Sequence, residues 1–197
     1  MKVESDLNGK GIYVTDCVDQ EYLDKIFALE DKLDIIDQIH YFRSSFSDFE
    51  DNELSIYLTG KINNAIIEYI NKTQKDINEY IAKGYFHLSN WKTGIELPPH
   101  IDTTRNEEEQ THNPRPIINC LLYLTDDYDG GELIFPDINT SIKPKAGSVV
   151  VFDSDFKHGV NALKSGTRKT LESHLYSIHS EDIEEIKSNK WRHITPY

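Results

Sequence analysis

PIINCLLYLTDDYDGGELIFPDINTSIKPKAGSVVVFDSDFKHGVNALKSGTRKTLESHLYSI, residues 116–178, decides the fold. Short runs rich in Val, Ile, Leu, Tyr and Phe alternate with turn chemistry at Asp129-Gly130-Gly131, Pro136-Asp137, Lys145-Ala146-Gly147 and Ser165-Gly166. β-Branched and aromatic residues fill a pleated, half-buried surface, whereas Gly, Pro and Asp supply the backbone geometries that turns need. The pattern predicts strands at 116–124, 131–135, about 139–143, 148–152, about 158–162 and 168–178. With the strand read at Tyr85–Trp91, this makes seven or eight short strands, and such spacing points to a closed or two-sheet architecture of the jelly-roll kind.

Upstream, Pro98-Pro99 delivers His100-Ile101-Asp102 on a stiff, extended segment. Side chains two apart on a strand share a face, about 7 Å apart along it, so His100 and Asp102 can both reach one ion. His158 completes a set of two imidazoles and one carboxylate, the facial arrangement of non-haem Fe(II) oxygenases. Ten residues further on stands Arg168. A guanidinium beside such a site matches a carboxylate bidentately, as needed to hold the far end of a dicarboxylate.

The N-terminal part reads as support. Residues 11–18 (GIYVTDCV) are β-rich, and Asp19 can cap a helix from Gln20 to about Leu33. Residues 40–50 have no clean period and read as irregular or a short strand. A long helix follows from Asp51 or Asn52 to about Ala82, with Gly60 and the polar run NKTQKD at 71–76 as places where it can bend or divide, and with Leu54, Leu58, Ile62, Ile66 and Tyr69 at helical spacing, a stripe that suits a helix backing a sheet. Residues 103–115 form a polar loop holding Glu107, Glu108 and Glu109, placed to cover the mouth of the site, although an acidic run is commonly just a solvated surface. Residues 180–189 read as a terminal helix capped by Ser180.

Length and charge bound the function. A chain of 197 residues is most simply one domain. Its parts would be 1–84 (N-terminal strand and supporting helices), 85–178 (jelly-roll core) and 179–197 (helix and tail). The formal charge of −13 disfavours a phosphate backbone or an anionic membrane as partner. Cys17 and Cys120 show no pairing of the metal-ligand kind. Without an apolar leader or an 18-residue apolar run, the expectation is a cytoplasmic protein with neither membrane nor nucleic-acid partner.

Four segments together, HID at 100–102, LLYLTDDYDGGELIFP at 121–136, KPKAGSVVVF at 143–152 and HGVNALKSGTRKTL at 158–171, resemble the 2-oxoglutarate- and Fe(II)-dependent oxygenases of the prolyl 4-hydroxylase-like superfamily. The resemblance covers roughly residues 85–178 and implies a double-stranded β-helix, the cupin-like jelly roll, mainly β with flanking helices. It also implies that His100, Asp102 and His158 are the catalytic iron ligands and that Arg168 pairs with the distal carboxylate of 2-oxoglutarate, aided by Tyr123. Gly130 and Gly131 match a family GGE turn, read as a tight hairpin, and Gly94 matches a family glycine. Trp91 departs from the family, where a tyrosine often contacts the co-substrate; indole donates one hydrogen bond and accepts none, so Trp91 is read as pocket wall or core. Retention of Asp102 argues against a halogenase variant.

The implied reaction is hydroxylation of an unactivated C–H bond with Fe(II), 2-oxoglutarate and O2, ascorbate being a possible further requirement. A prolyl residue in a peptide or protein is the leading substrate; a free amino acid or another small metabolite is the alternative. A cupin-like binding module without catalysis is the non-enzymatic rival, and the complete set of His100, Asp102, His158 and Arg168 argues against it. His40, His87, His112, His174, His179 and His193 read as structural or surface residues. Oligomeric state is not legible.

Overall fold

A computed structural model of the chain describes residues 5–6, 11–30, 36–37, 41–45, 52–83, 86–103, 116–180, 183–188 and 191–194. In chain order, β1 (Ser5–Asp6) and β2 (Ile12–Asp16) precede α1 (Gln20–Glu30), and β3 (Ile36–Asp37) and β4 (Tyr41–Ser45) precede α2 (Asn52–Lys72). Next come β5 (Tyr80–Lys83), β6 (His87–Trp91), β7 (Leu97–His100), β8 (Ile118–Tyr123), β9 (Asp129–Gly130), β10 (Leu133–Phe135) and β11 (Thr140–Ile142). The chain continues through β12 (Ser148–Asp153), β13 (His158–Val160), β14 (Leu163–Ser165), β15 (Arg168–Ser177), α3 (Ile183–Ser188) and β16 (Trp191–His193).

The strands make two facing antiparallel sheets. The major one runs β1-β2-β12-β8-β15-β6-β4-β3, with β5 joining β15 to β16; the minor one runs β11-β10-β13-β7, and β14 pairs with β9 alone. The central strands β12 (SVVVFD) and β8 (INCLLY) are near-continuous apolar runs, as strands covered on both faces are. On β12, Val149 and Val151 pack towards α1 and α2, while Val150 and Phe152 pack between the sheets. β8 and β15 divide the same way, with Cys120, Leu122, Leu171 and Leu175 on the helical side. The opposite faces of these two strands are therefore free for chemistry.

On α2, Leu58, Ile62 and Ile66 are each fully buried against that helical side, worth roughly 1.5–3 kcal/mol apiece. The helix ends ten residues before the predicted Ala82. Lys75 N–H donates to the Ile70 carbonyl (3.0 Å) and Gln74 N–H to that of Asn71 (3.3 Å), while Gln74 takes a left-handed φ of 56°. This is a Schellman stop built without glycine, and the freed residues Tyr80–Lys83 become a strand against β15. Of the expected terminal helix at 180–189, residues Ile183–Ser188 are helical, and Trp191–His193 pair with β5. Residues 104–115, most of the expected loop, lie outside the described residues. Among the described residues, no helix is long and apolar enough to cross a membrane.

Candidate metal centre

His100 and His158 are brought together by strand pairing. β13 runs antiparallel to β7 with His158 directly opposite His100, and the ring centroids lie 4.6 Å apart. Asp102 arrives differently from the shared strand face expected for it: β7 ends at His100, and a turn anchored by Asp102 N–H to the Ser154 carbonyl (3.1 Å) swings the carboxylate in. Asp102 Oδ1 then lies 3.1 Å from His100 Nε2, and Oδ2 lies 3.5 Å from His158 Nε2. One ligand atom from each of the three residues falls within 4.8 Å of the other two.

Each imidazole has its Nδ1 against a backbone carbonyl two residues upstream, Pro98 at 3.0 Å for His100 and Phe156 at 2.8 Å for His158. A carbonyl accepts, so Nδ1 carries a proton in both rings and Nε2 is the nitrogen turned inward, the one a metal would take in place of any proton it shares with Asp102. Burial pushes the His158 pKa down, which keeps that lone pair available. The His100 pKa is raised, chiefly by its hydrogen bond to Asp102. For Asp102 burial opposes ionisation, but the His100 hydrogen bond, the nearby His158 and the Asn119 amide outweigh it and hold the carboxyl at about 2. The donor set, two neutral-capable imidazoles and an ionised carboxylate on one side, fits a divalent iron.

Arg168 closes the other end of the cavity and is 1% exposed. Its Nε donates to the Gly131 carbonyl at 2.9 Å and its Nη2 to the Tyr123 hydroxyl at 3.0 Å, while Nη1, also buried, has no hydrogen-bond partner among the described residues. The guanidinium sits 5.0 Å from the Trp91 ring centroid and 5.2 Å from that of Tyr123, so Trp91 is a wall of the cavity and a cover for the cation. Gly130 and Gly131 have φ of 71° and 65°, but they form no tight hairpin. A side chain at Gly130 would meet the Ala162 carbonyl at 2.2 Å, and one at Gly131 would meet Arg168 Cδ at 3.1 Å. They are glycine so that β9 can lie against β14 and the Gly131 carbonyl can reach Arg168.

The cavity holding these groups, about 180 Å3, also takes Asn119, Thr170, Glu172 and His174 from the inner faces of β8 and β15. A larger cavity of about 500 Å3 lies between the end of β2 and α2, lined by Asp16, Cys17, Tyr57 and Lys61, away from the His100–Asp102–His158 trio. Asn119 Nδ2 donates to Asp102 Oδ2 (2.6 Å), and Asn119 Oδ1 meets His174 Nδ1 (2.8 Å). His174 Nε2 faces Glu172 Oε2 at 3.8 Å, and Ser89 Oγ donates to Glu172 Oε1 at 2.6 Å. His174 is thus not a surface residue but is held at the cavity by these contacts. Counting by twos along β15 from Arg168 reaches Thr170, Glu172 and His174, a periodicity that could have revealed all three. Tyr128 lies beside Gly131, and its buried hydroxyl has no hydrogen-bond partner among the described residues.

Comparison with known proteins agrees with this geometry. The profile of the 2OG-Fe(II) oxygenase superfamily matches residues 86–176. Prolyl 3-hydroxylase 2 of Mus musculus is 44% identical over 57 residues, covering 25% of this chain and 8% of that protein. A PKHD-type hydroxylase of Colwellia psychrerythraea is 35% identical over 74 residues, covering 34% of this chain and 33% of that one. The chain thus spans a third or less of the length of these relatives. The viral collagen prolyl hydroxylase of Paramecium bursaria Chlorella virus-1 shares the fold, with a TM-score of 0.67 at 19% identity over 88% of this chain and 99% of that one. The two facing antiparallel sheets of the present chain form the double-stranded β-helix expected from the sequence. Residues 86–176 thus match the 2OG-Fe(II) oxygenase superfamily, and the chain shares the fold of a prolyl hydroxylase.

Proposed function

We propose that the chain is a 2-oxoglutarate- and Fe(II)-dependent dioxygenase, with residues 1–197 acting as a single catalytic domain that hydroxylates an unactivated C–H bond in a peptide or protein. A prolyl residue is the target that the names of its relatives favour. His100 Nε2, His158 Nε2 and an Asp102 oxygen would hold the iron, and Arg168, braced by Tyr123, would take the distal carboxylate of 2-oxoglutarate. Bound together, iron and co-substrate supply the oxidation of the C–H bond by O2, one oxygen atom going to product while 2-oxoglutarate leaves as succinate and CO2.

The residues of the chain orient and shield. The Pro98 and Phe156 carbonyls fix both imidazole tautomers before any metal arrives, so no ring has to turn on binding. Asn119 holds one Asp102 oxygen and limits rotation of the carboxylate. Trp91, at 5% exposure, keeps water from the guanidinium and so strengthens its attraction for a carboxylate.

The observation that carries this function is the buried Arg168 Nη1, without a hydrogen-bond partner among the described residues, in the same cavity as the His-Asp-His trio. Leaving such a donor unsatisfied costs about 1–3 kcal/mol or more, which an anionic ligand would recover. A cupin-like binding module has no comparable need for that cation beside three metal donors. The test is anaerobic Fe(II) titration, expected to saturate at one equivalent per chain, then succinate formation with 2-oxoglutarate and ascorbate. Mass spectrometry of a peptide and amino-acid panel should find a gain of one oxygen atom on a peptide. Oxidation of a free amino acid alone would favour the small-metabolite alternative, and absence of both metal binding and succinate would dismiss the oxygenase.

A further inference from the structure

Asp102 has no strand of its own to hold it. β7 ends at His100, so the carboxylate reaches the trio from a turn, and one of its oxygens, Oδ2, is held by the Asn119 amide at 2.6 Å. An amide has a donating end and an accepting end. Turned over, Asn119 would set Oδ1 against that carboxylate oxygen, and two acceptors repel. At 2% exposure the amide has no bulk water to soften such a contact. Whatever keeps the amide the right way round therefore helps to decide where Asp102 points.

On the far side of the amide stands His174. β8 and β15 are antiparallel neighbours with Asn119 directly opposite His174, and both residues line the cavity. His174 Nδ1 lies 2.8 Å from Asn119 Oδ1. A carbonyl oxygen only accepts, so Nδ1 donates. Nδ1 carries a proton in the charged ring and in one neutral tautomer alike, so this contact does not depend on the charge of the ring. A reversed amide would set its NH2 against that N–H, and the two neighbours thus reject the same wrong orientation. The ring is held from its other nitrogen as well: Nε2 stands in ion-pair range of Glu172 Oε2 at 3.8 Å, and Ser89 Oγ donates to Glu172 Oε1 at 2.6 Å.

We propose that His174 is a positioning residue of the metal centre: it locks the orientation of the Asn119 amide, and through it that of the Asp102 carboxylate. A chain of contacts then runs from Ser89 on β6 through Glu172, His174 and Asn119 to a metal ligand. This rests on the metal site proposed above and adds to it a residue that acts through two others.

The test measures the Mn(II) affinity of the whole chain by electron paramagnetic resonance, with no turnover involved. His174→Phe keeps a ring and removes the donor, whereas His174→Asn keeps a donor at the δ position. Outer partners of a metal ligand are commonly worth about 10–100-fold in affinity, and one acting through another should be worth less, so His174→Phe is expected to weaken Mn(II) binding roughly five- to twentyfold. His174→Asn should stay within about threefold of wild type. In an Asn119→Leu background His174→Phe should add less than about twofold, because the path is already cut. Unchanged affinity in His174→Phe, an equal loss in the Phe and Asn variants, or a full further loss on top of Asn119→Leu would overturn the inference and leave His174 a packing residue. Should His174→Phe fail to fold, a proton–nitrogen NMR correlation of the metal-free wild type decides: a protonated His174 Nδ1 is expected, and a bare Nδ1 overturns the inference. A wild type that takes up no Mn(II) would instead sink the metal centre itself, so the two failures are distinguishable.

Discussion

Arg168 and Tyr123 meet 3.0 Å apart in the interior, the guanidinium Nη2 donating to the phenolic oxygen, with both residues almost completely buried. The phenol and the Gly131 carbonyl hold two guanidinium nitrogens, and the third, Nη1, has no hydrogen-bond partner among the described residues. Tyr123→Phe keeps the ring over Arg168 and removes only that acceptor. A hydrogen bond to a charged group is worth about 1.5–3 kcal/mol, so 2-oxoglutarate affinity should fall by roughly tenfold or more. Anaerobic titration checks this, with Fe(II) affinity expected to stay near wild type. An unaltered 2-oxoglutarate affinity would remove Tyr123 from the co-substrate site.

His158→Ala deletes one imidazole from a set of three donors and leaves its strand partner His100 in place. Fe(II) binding should weaken strongly, as should Mn(II) binding followed by electron paramagnetic resonance. Retained stoichiometric binding would move the third ligand elsewhere.

Asn119→Leu removes the amide that fixes Asp102 Oδ2 at 2.6 Å while keeping a similar volume. Loss of an outer partner of a ligating carboxylate commonly costs about 10–100-fold in metal affinity. The expected pattern is weaker Fe(II) binding with little change in 2-oxoglutarate affinity measured at saturating metal. If metal affinity is untouched, Asp102 is oriented by its turn alone.

Asp102 also makes the metal-free protein acid-sensitive. Its folded carboxyl is held down to about 2, below the ordinary aspartate value of 3.8, so on acidification the unfolded chain takes up the proton first. The stabilisation is present above the unfolded pKa and is lost as pH falls through the folded one. It amounts to something on the order of 2 kcal/mol. Urea unfolding of the metal-free protein between pH 5 and pH 2 should fall more steeply in wild type than in Asp102→Asn. Parallel curves would show that the carboxylate gains nothing from its neighbours on folding.

Gly131→Ala places a methyl 3.1 Å from Arg168 Cδ at a φ of 65°. The left-handed backbone costs a non-glycine residue roughly 1–2 kcal/mol, and the guanidinium must shift. Lower thermal stability together with weaker 2-oxoglutarate binding is expected, against unchanged metal affinity. A loss of stability alone would mean that the arginine can adapt.

Much of this molecule is legible in the chain itself. Strands and turns between 116 and 178 follow from local preference and period, because a pleated strand and a tight turn each select residues within a few positions. The trio and Arg168 are readable for a related reason, since metal and carboxylate chemistry restricts residue type strongly. Ends of elements are weaker signals. α2 stops at a left-handed Gln74 where no glycine marks the place, and the backbone hydrogen bonds of Asn71 and Ile70 decide it.

Only the tertiary structure decides how the site is assembled. His158 stands opposite His100 because β13 pairs with β7, a contact across more than fifty residues of chain, and Asp102 arrives by a turn tied to Ser154 rather than along the strand. The period of two from Arg168 puts Glu172 and His174 on its face of β15, but that β8 sets Asn119 beside them at the cavity is decided by strand pairing. Residue type and local period determine which chemistry is possible. Which side chains share it depends on long-range register, which is set by burying the opposite faces of β8, β12 and β15 under α1 and α2.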